Sequence, residues 1–151
     1  MIEPRLRAVL LGIAAAGFAG MIAELLLMEH WGLPWQITPF TLSAVAILSI
    51  GLFALRPAAL TAVLLRLVMS AVIAGAALGM YQHVAGNAAF EREIHLAAST
   101  GEVLWGALRG VAPALAPGGL AMAALVAIAA TWRIRSRRRE PAEAGRRMSS
   151  G

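Results

Sequence analysis

Cysteine, lysine and aspartate are missing from this chain, and charged residues of any kind make up only 14% of its 151 positions. The absence of cysteine excludes disulfides, thiolate metal centres and c-type haem attachment. The absence of lysine excludes a Walker-type phosphate loop, and no G-x-S-x-G elbow is present either. Polar surface is scarce too: 60% of residues are hydrophobic and the mean hydropathy is +0.75. That is too little polar surface to cover a soluble globule of this size, so a bilayer is the expected solvent. All basic residues are Arg and all acidic residues are Glu, an Arg/Ala/Gly-rich usage that fits a GC-rich bacterial genome.

Four apolar segments are present, at about 8–28, 39–55, 57–83 and 117–132. The first follows Arg5 and Arg7 as a signal peptide would, but its apolar length exceeds a signal core and fits a retained spanning helix. Pro39 suits the first turn of the second segment, and Arg56-Pro57 leaves only a tight turn before the third, which makes those two an antiparallel hairpin. With four crossings, Arg5, Arg7, Arg56, Arg66 and the Arg133–Arg139 cluster share one side, which the positive-inside rule makes cytoplasmic. Trp31, Trp35 and Trp105 then mark the outer interface and Trp132 the inner one. The expectation is an all-α, integral inner-membrane four-helix bundle over 1–139 with both termini cytoplasmic, followed by a disordered cytoplasmic tail over 140–151.

Small residues suggest how the helices pack. Gly12, Ala16 and Gly20 recur every fourth position and lead to Glu24; Ala71, Gly75 and Gly79 do the same and lead to His83. Such ladders allow close approach of membrane helices, so the first and third helices are expected to pack together and bring Glu24 and His83 to one outer depth. Glu24 lies about a turn inside the first segment, where an ionised carboxylate costs several kcal/mol unless paired, hydrated or protonated. It is read as a ligand or proton carrier, against snorkelling to the interface as the structural alternative. Arg66 is read as a snorkelling side chain.

The segment YQHVAGNAAFEREIH, from Tyr81 to His95, concentrates polar chemistry at the end of the third apolar stretch. In a continuous helix His83, Asn87, Glu91 and His95 form a four-residue stripe, and Glu91 and His95 form an E-x-x-x-H pair that can share a cation. A break at Gly86-Asn87 would instead fold Glu91, Glu93 and His95 across the bundle mouth. The other outer connection supplies Glu29, His30 and Gln36, with Gly32 and Pro34 arguing for a turn. Glu24, His30, His83, Glu91 and His95 are thus the candidate metal ligands, with Glu29, Gln36, Asn87 and Glu93 as further polar groups. This nitrogen and oxygen set suits a divalent transition metal such as Zn or Fe. It contains neither H-E-x-x-H nor the paired E-x-x-H of di-iron bundles, and only His83 is placed for a b-type haem. The alternative is that polar residues simply collect in external loops.

Thr100 to Val111 reads as a short external amphipathic helix, a connector or a lid over the polar cluster. The Arg-rich WRIRSRRR reads as a stop-transfer anchor for anionic lipid, not as a nucleic-acid site. The patterns AELLLMEHWGLPWQITP and HVAGNAAFEREIH resemble a family of small, uncharacterised four-helix bacterial inner-membrane proteins. The likeness rests on Glu24, His30, Gln36, His83, Gly86-Asn87, Phe90-Glu91 and Glu93, and it implies a small polytopic membrane protein with no particular activity. Two functional expectations result: an external His/Glu site that binds a divalent metal or relays protons, or a non-catalytic accessory or assembly subunit of a larger membrane complex. No reaction is assigned. The expected partners are the lipid bilayer and either a second copy or that larger complex.

Overall fold

The computed structural model describes residues 3–110 and 112–132. Helices dominate it: α1 (Pro4–Leu27), a 3₁₀ turn (Pro34–Ile37), α2 (Thr38–Leu55), α3 (Ala59–Ile94), α4 (Thr100–Leu108) and α5 (Gly118–Ala130), with no strand among the described residues. Proline sets two of the starts, Pro4 and Pro39 lying in first turns where a missing N–H costs no helical bond. The end of α1 is a Schellman stop: Glu29 takes φ 51°, its N–H donates to Leu26 O at 3.1 Å, and the His30 N–H donates to Leu25 O at 2.9 Å.

Three helical segments are long and apolar enough to cross a membrane: Pro4–Leu27, Pro34–Leu55 and Ala59–Ile94. They are apolar around most of their circumference, with Leu48, Leu60, Leu67 and Leu78 among the exposed side chains, as expected of helices solvated by lipid. α3 has 36 residues, roughly 54 Å of helix, about 24 Å more than a hydrocarbon core spans. Of the two alternatives at Gly86-Asn87, the continuous helix is the one found: α3 runs unbroken to Ile94. The expected fourth span is helical only over the 13 residues of α5, roughly 20 Å. Arg133–Arg139 and the tail expected over 140–151 lie outside the described residues.

The core forms along seams with alternating three- and four-residue steps: Leu11, Ala14 and Phe18 on α1; Ala46, Ile50 and Phe53 on α2; Ala62, Leu65, Met69, Val72 and Ala76 on α3. Such steps keep one stripe of each helix facing its neighbours. On α5 the seam is mostly alanine, at Ala123, Ala124, Ala127 and Ala130, which lets helices approach closely.

α1 packs on α2 and α5, and α3 packs on the same two, so α1 and α3 face each other across a diagonal with no close approach of their backbones. This overturns the expected pairing of α1 with α3. Gly12 and Gly20 face open space, whereas Gly17, outside that ladder, sits where an added Cβ would lie 3.2 Å from Ala123 Cβ. On α3, Gly75 receives Leu42 of α2, and Gly79 lies against Pro117. The physical reason is register. Gly17 flanks the inward residues Ala14 and Phe18, while Gly12, Ala16 and Gly20 fall on the far side of α1.

At one end of the molecule arginines tie the helices together. Arg66 donates through Nε to Thr131 Oγ1 and through a terminal nitrogen to Thr131 O, both at 2.8 Å, and Arg7 Nε donates to Ala130 O at 3.3 Å. Two cations thus meet the carbonyl end of α5, where the helix dipole favours positive charge. Arg66 is therefore a helix cap, not a free snorkelling side chain.

Candidate functional site

Away from the arginines, the same inward stripe of α3 changes character. After Val72 and Ala76 it continues through Gly79, His83 and Asn87, so polar groups take the places that core side chains occupy lower down. A cleft of about 460 Å³ opens there, walled by the ends of α1 and α2, the middle of α3 and the connection from α4 to α5. Glu24, His30, Gln36, His83 and Asn87 all line it.

Each arrives by a local cause. Glu24 lies on the last turn of α1 and is exposed, and among the described residues its carboxylate has neither an ion pair nor a hydrogen bond. His30 is set by the Schellman stop, its backbone N–H being tied to Leu25 O. Gln36 is partly committed to structure: its Oε1 accepts the Leu33 N–H at 2.8 Å and so caps the 3₁₀ turn. His83 is half-buried, and its Nδ1 is buried with no hydrogen-bond partner among the described residues. A buried ring nitrogen without a partner is costly, so His83 is the group in this cleft with the most to gain from a ligand or a proton partner.

Asn87 has a different task. Its Nδ2 donates to Ala107 O at 2.8 Å and Ala112 O at 2.7 Å, while its Oδ1 accepts the Ala112 N–H at 3.2 Å. The side chain is therefore a latch that holds the α4–α5 connection against α3. Ala112, Pro113 and Pro117 of that connection close one side of the cleft, so α4 itself is not the lid. Gly110 makes the latch fit, since a Cβ there would overlap the Asn87 amide.

Glu91 and His95 lie outside the cleft. They form the expected i,i+4 pair at 3.8 Å, but His95 is 62% exposed and Glu91 packs over Gly106 of α4. Glu29 and Glu93 are exposed and also stay outside the cleft. The five candidate ligands are thus divided: Glu24, His30 and His83 in the cleft, Glu91 and His95 beyond it. Among the described residues, no three His, Asp or Glu side chains gather closely enough to hold a metal ion.

Four features were missed from the sequence. Trp35, expected only as an interface anchor, also lines the cleft, as do Thr38 and Gln82. Their signal was position alone, beside Gln36, Pro39 and His83. The fourth, the start of α4, was legible as S-x-x-E: Ser99 N–H and Oγ both donate to Glu102 Oε2 at 2.8 Å. Those two bonds, backbone first, hold the Glu102 carboxyl below its ordinary pKa. Further along α4, Arg109 stacks over Trp105, 5.6 Å from the ring centre.

Comparison with protein-family models, with curated proteins and with solved structures finds no match to this chain.

Proposed function

We propose that this chain is an integral inner-membrane four-helix bundle of a bacterial cell, α5 being its fourth crossing, and that the cleft is a site at its outer face where a cation or a proton is bound or passed. Glu24 supplies the charge, and His83, assisted by His30, exchanges the proton. One observation carries this reading: Glu24, His30 and His83, contributed by α1, the following turn and α3, line one cleft in which the His83 Nδ1 has no partner among the described residues. Carboxylates and imidazoles at membrane depth are expensive, which favours a functional reason for keeping them there. Supporting the orientation, Arg7, Arg56 and Arg66 lie toward the opposite end. The division of the five candidate ligands makes a proton or a loosely held cation a better fit than a tightly coordinated metal.

Thermal unfolding of the purified protein in detergent tests this, because a ligand that binds only the folded state raises the midpoint. Zinc chloride is the probe in one arm. The other arm compares midpoints between about pH 5 and pH 8, where imidazole titrates. A zinc-dependent rise, or a pH-dependent change, that disappears in both Glu24→Gln and His83→Gln supports the reading. Midpoints that respond to neither, or respond identically in wild type and variants, overturn it.

A second reading has its own observation. Gly12, Ala16 and Gly20 form an outward small-residue face with open space beside Gly12 and Gly20, the kind of surface on which another membrane helix docks. On that reading the chain is an accessory or assembly subunit, and Ala16→Leu with Gly20→Leu would release it from a larger complex on native gels while leaving its own fold intact.

A further inference from the structure

A cation site in this cleft also has walls that select among cations, and the ligand class they select stands only if the proposed site does. Among the described residues lining the cleft, Glu24 is the one carboxylate and no arginine is present. An anionic amphiphile would therefore meet a like charge with no permanent counter-ion, His30 and His83 being the described lining residues that can become cationic, and only on protonation. Most of the wall is apolar, including Met21, Leu25, Leu42, Ala76 and Leu120, and Trp35 adds an aromatic ring. At about 460 Å³ the cleft falls within the roughly 300–1,000 Å³ of small-molecule sites, which are mostly apolar with a few convergent polar groups. A bare transition metal needs about four donors at roughly 2 Å, an arrangement of quite different dimensions. A neutral ligand would bury the carboxylate without a partner.

We infer that the cleft binds a lipophilic organic cation: an amphipathic amine or onium ion whose charge is matched by Glu24 and whose apolar body lies against the α1, α2 and α3 walls. Trp35, at the cleft wall, supplies an aromatic ring within the lining, the kind of side chain that recognises ammonium groups. Gly75 and Gly79 let Leu42 and Pro117 close in on α3 to build the wall, and exposed apolar side chains beside the cleft such as Leu26 and Leu78 suit entry of such a molecule from lipid.

Radiolabelled tetraphenylphosphonium, with tetraphenylborate as a probe of the same shape and opposite charge, tests this on the full chain in lipid nanodiscs. Saturable phosphonium binding is expected, weakened at least about tenfold in Glu24→Gln and several-fold in Trp35→Leu, the loss expected on removing a charge or ring contact worth about a kcal/mol or more. Tetraphenylborate should show no saturable binding. Each variant is accepted only with wild-type elution and midpoint, so that loss of binding is not loss of fold; Glu24→Asp, which keeps the charge, should retain most of the binding. Non-saturable phosphonium uptake, equal binding of the two ions, or unchanged binding in Glu24→Gln overturns the inference. If phosphonium fails while the zinc or pH response of the unfolding midpoint depends on Glu24 and His83, only the ligand class falls; if all three are absent, the cation site falls with it.

Discussion

Glu29 is the one described residue other than glycine with a positive φ, at 51°. Left-handed backbone brings Cβ close to the following carbonyl and costs roughly 1–2 kcal/mol, which is why glycine usually fills the residue after a helix cap. Replacing Glu29 by Gly should therefore raise stability by about 0.5–1 kcal/mol, seen as a higher unfolding midpoint, and should leave the position of His30 unchanged. A drop in stability would mean that the carboxylate makes a contribution beyond the turn. Glu102 gives a pH-dependent case. Its folded carboxyl pKa is lowered by the Ser99 bonds, so its stabilising effect is present above the ordinary carboxylate range and is lost as pH falls through the lowered value. Protection factors of the Ser99 and Glu102 amides should fall as pH drops through that lowered value; Ser99→Ala, which keeps the backbone bond, should weaken the dependence and Glu102→Gln should abolish it.

α3 does two jobs along one length. Its first half carries apolar seam residues, and its second half, from Gln82 onward, carries the polar groups and the platform for α4. Two glycines of the α4 segment meet that platform, and they should differ in tolerance. At Gly106 a Cβ would come within 2.6 Å of Glu91 Cδ, a flexible side chain that can swing aside. At Gly110 the obstacle is Asn87, held by three hydrogen bonds and unable to move without breaking them. Gly106→Ala should cost under about 1 kcal/mol and Gly110→Ala about 2 kcal/mol or more. Hydrogen exchange at Ala107 and Ala112 distinguishes the two: protection should survive the first substitution and fall with the second.

Taken whole, most of the described arginines lie at one end of the molecule and most of the described glutamates at the other, Glu3, Arg92 and Arg109 excepted. Arg7 and Arg66 cap α5 at one end, and Glu24, His30 and His83 face the cleft at the other. Because the chain has no cysteine, single-cysteine labelling needs no background removed. Trp31→Cys and His95→Cys should react with a membrane-impermeant maleimide added outside intact cells, and Arg56→Cys only after the membrane is opened. The reverse pattern would invert the proposed orientation, and equal labelling at all three would reject the crossings. The arginine cap is open to the same scale of test: Arg66→Lys loses the forked geometry that satisfies both Thr131 oxygens, so it should destabilise nearly as much as Arg66→Ala, about 1–3 kcal/mol.

The helical class, three membrane-length helices and the tight turn at Arg56-Pro57 were all legible in the sequence, because hydropathy, charge and proline act locally and need no partner. So was the Glu91–His95 pair, which depends only on helical spacing. The continuity of α3 through Gly86-Asn87 was not legible, because permissive residues can continue a helix as well as break it; hydrogen bonds from Asn87 to residues 20 and 25 positions away hold the α4 connection against that stretch. Nor could the ladders say which helix they would meet: small residues recur on several faces, and only packing selected Gly17 over Gly12 and Gly20. The site was half visible. Residue chemistry drew attention to Glu24, His30 and His83 together with Glu91 and His95, and the tertiary structure divided them, because the cleft ends where α4 and its latch cover the last turns of α3.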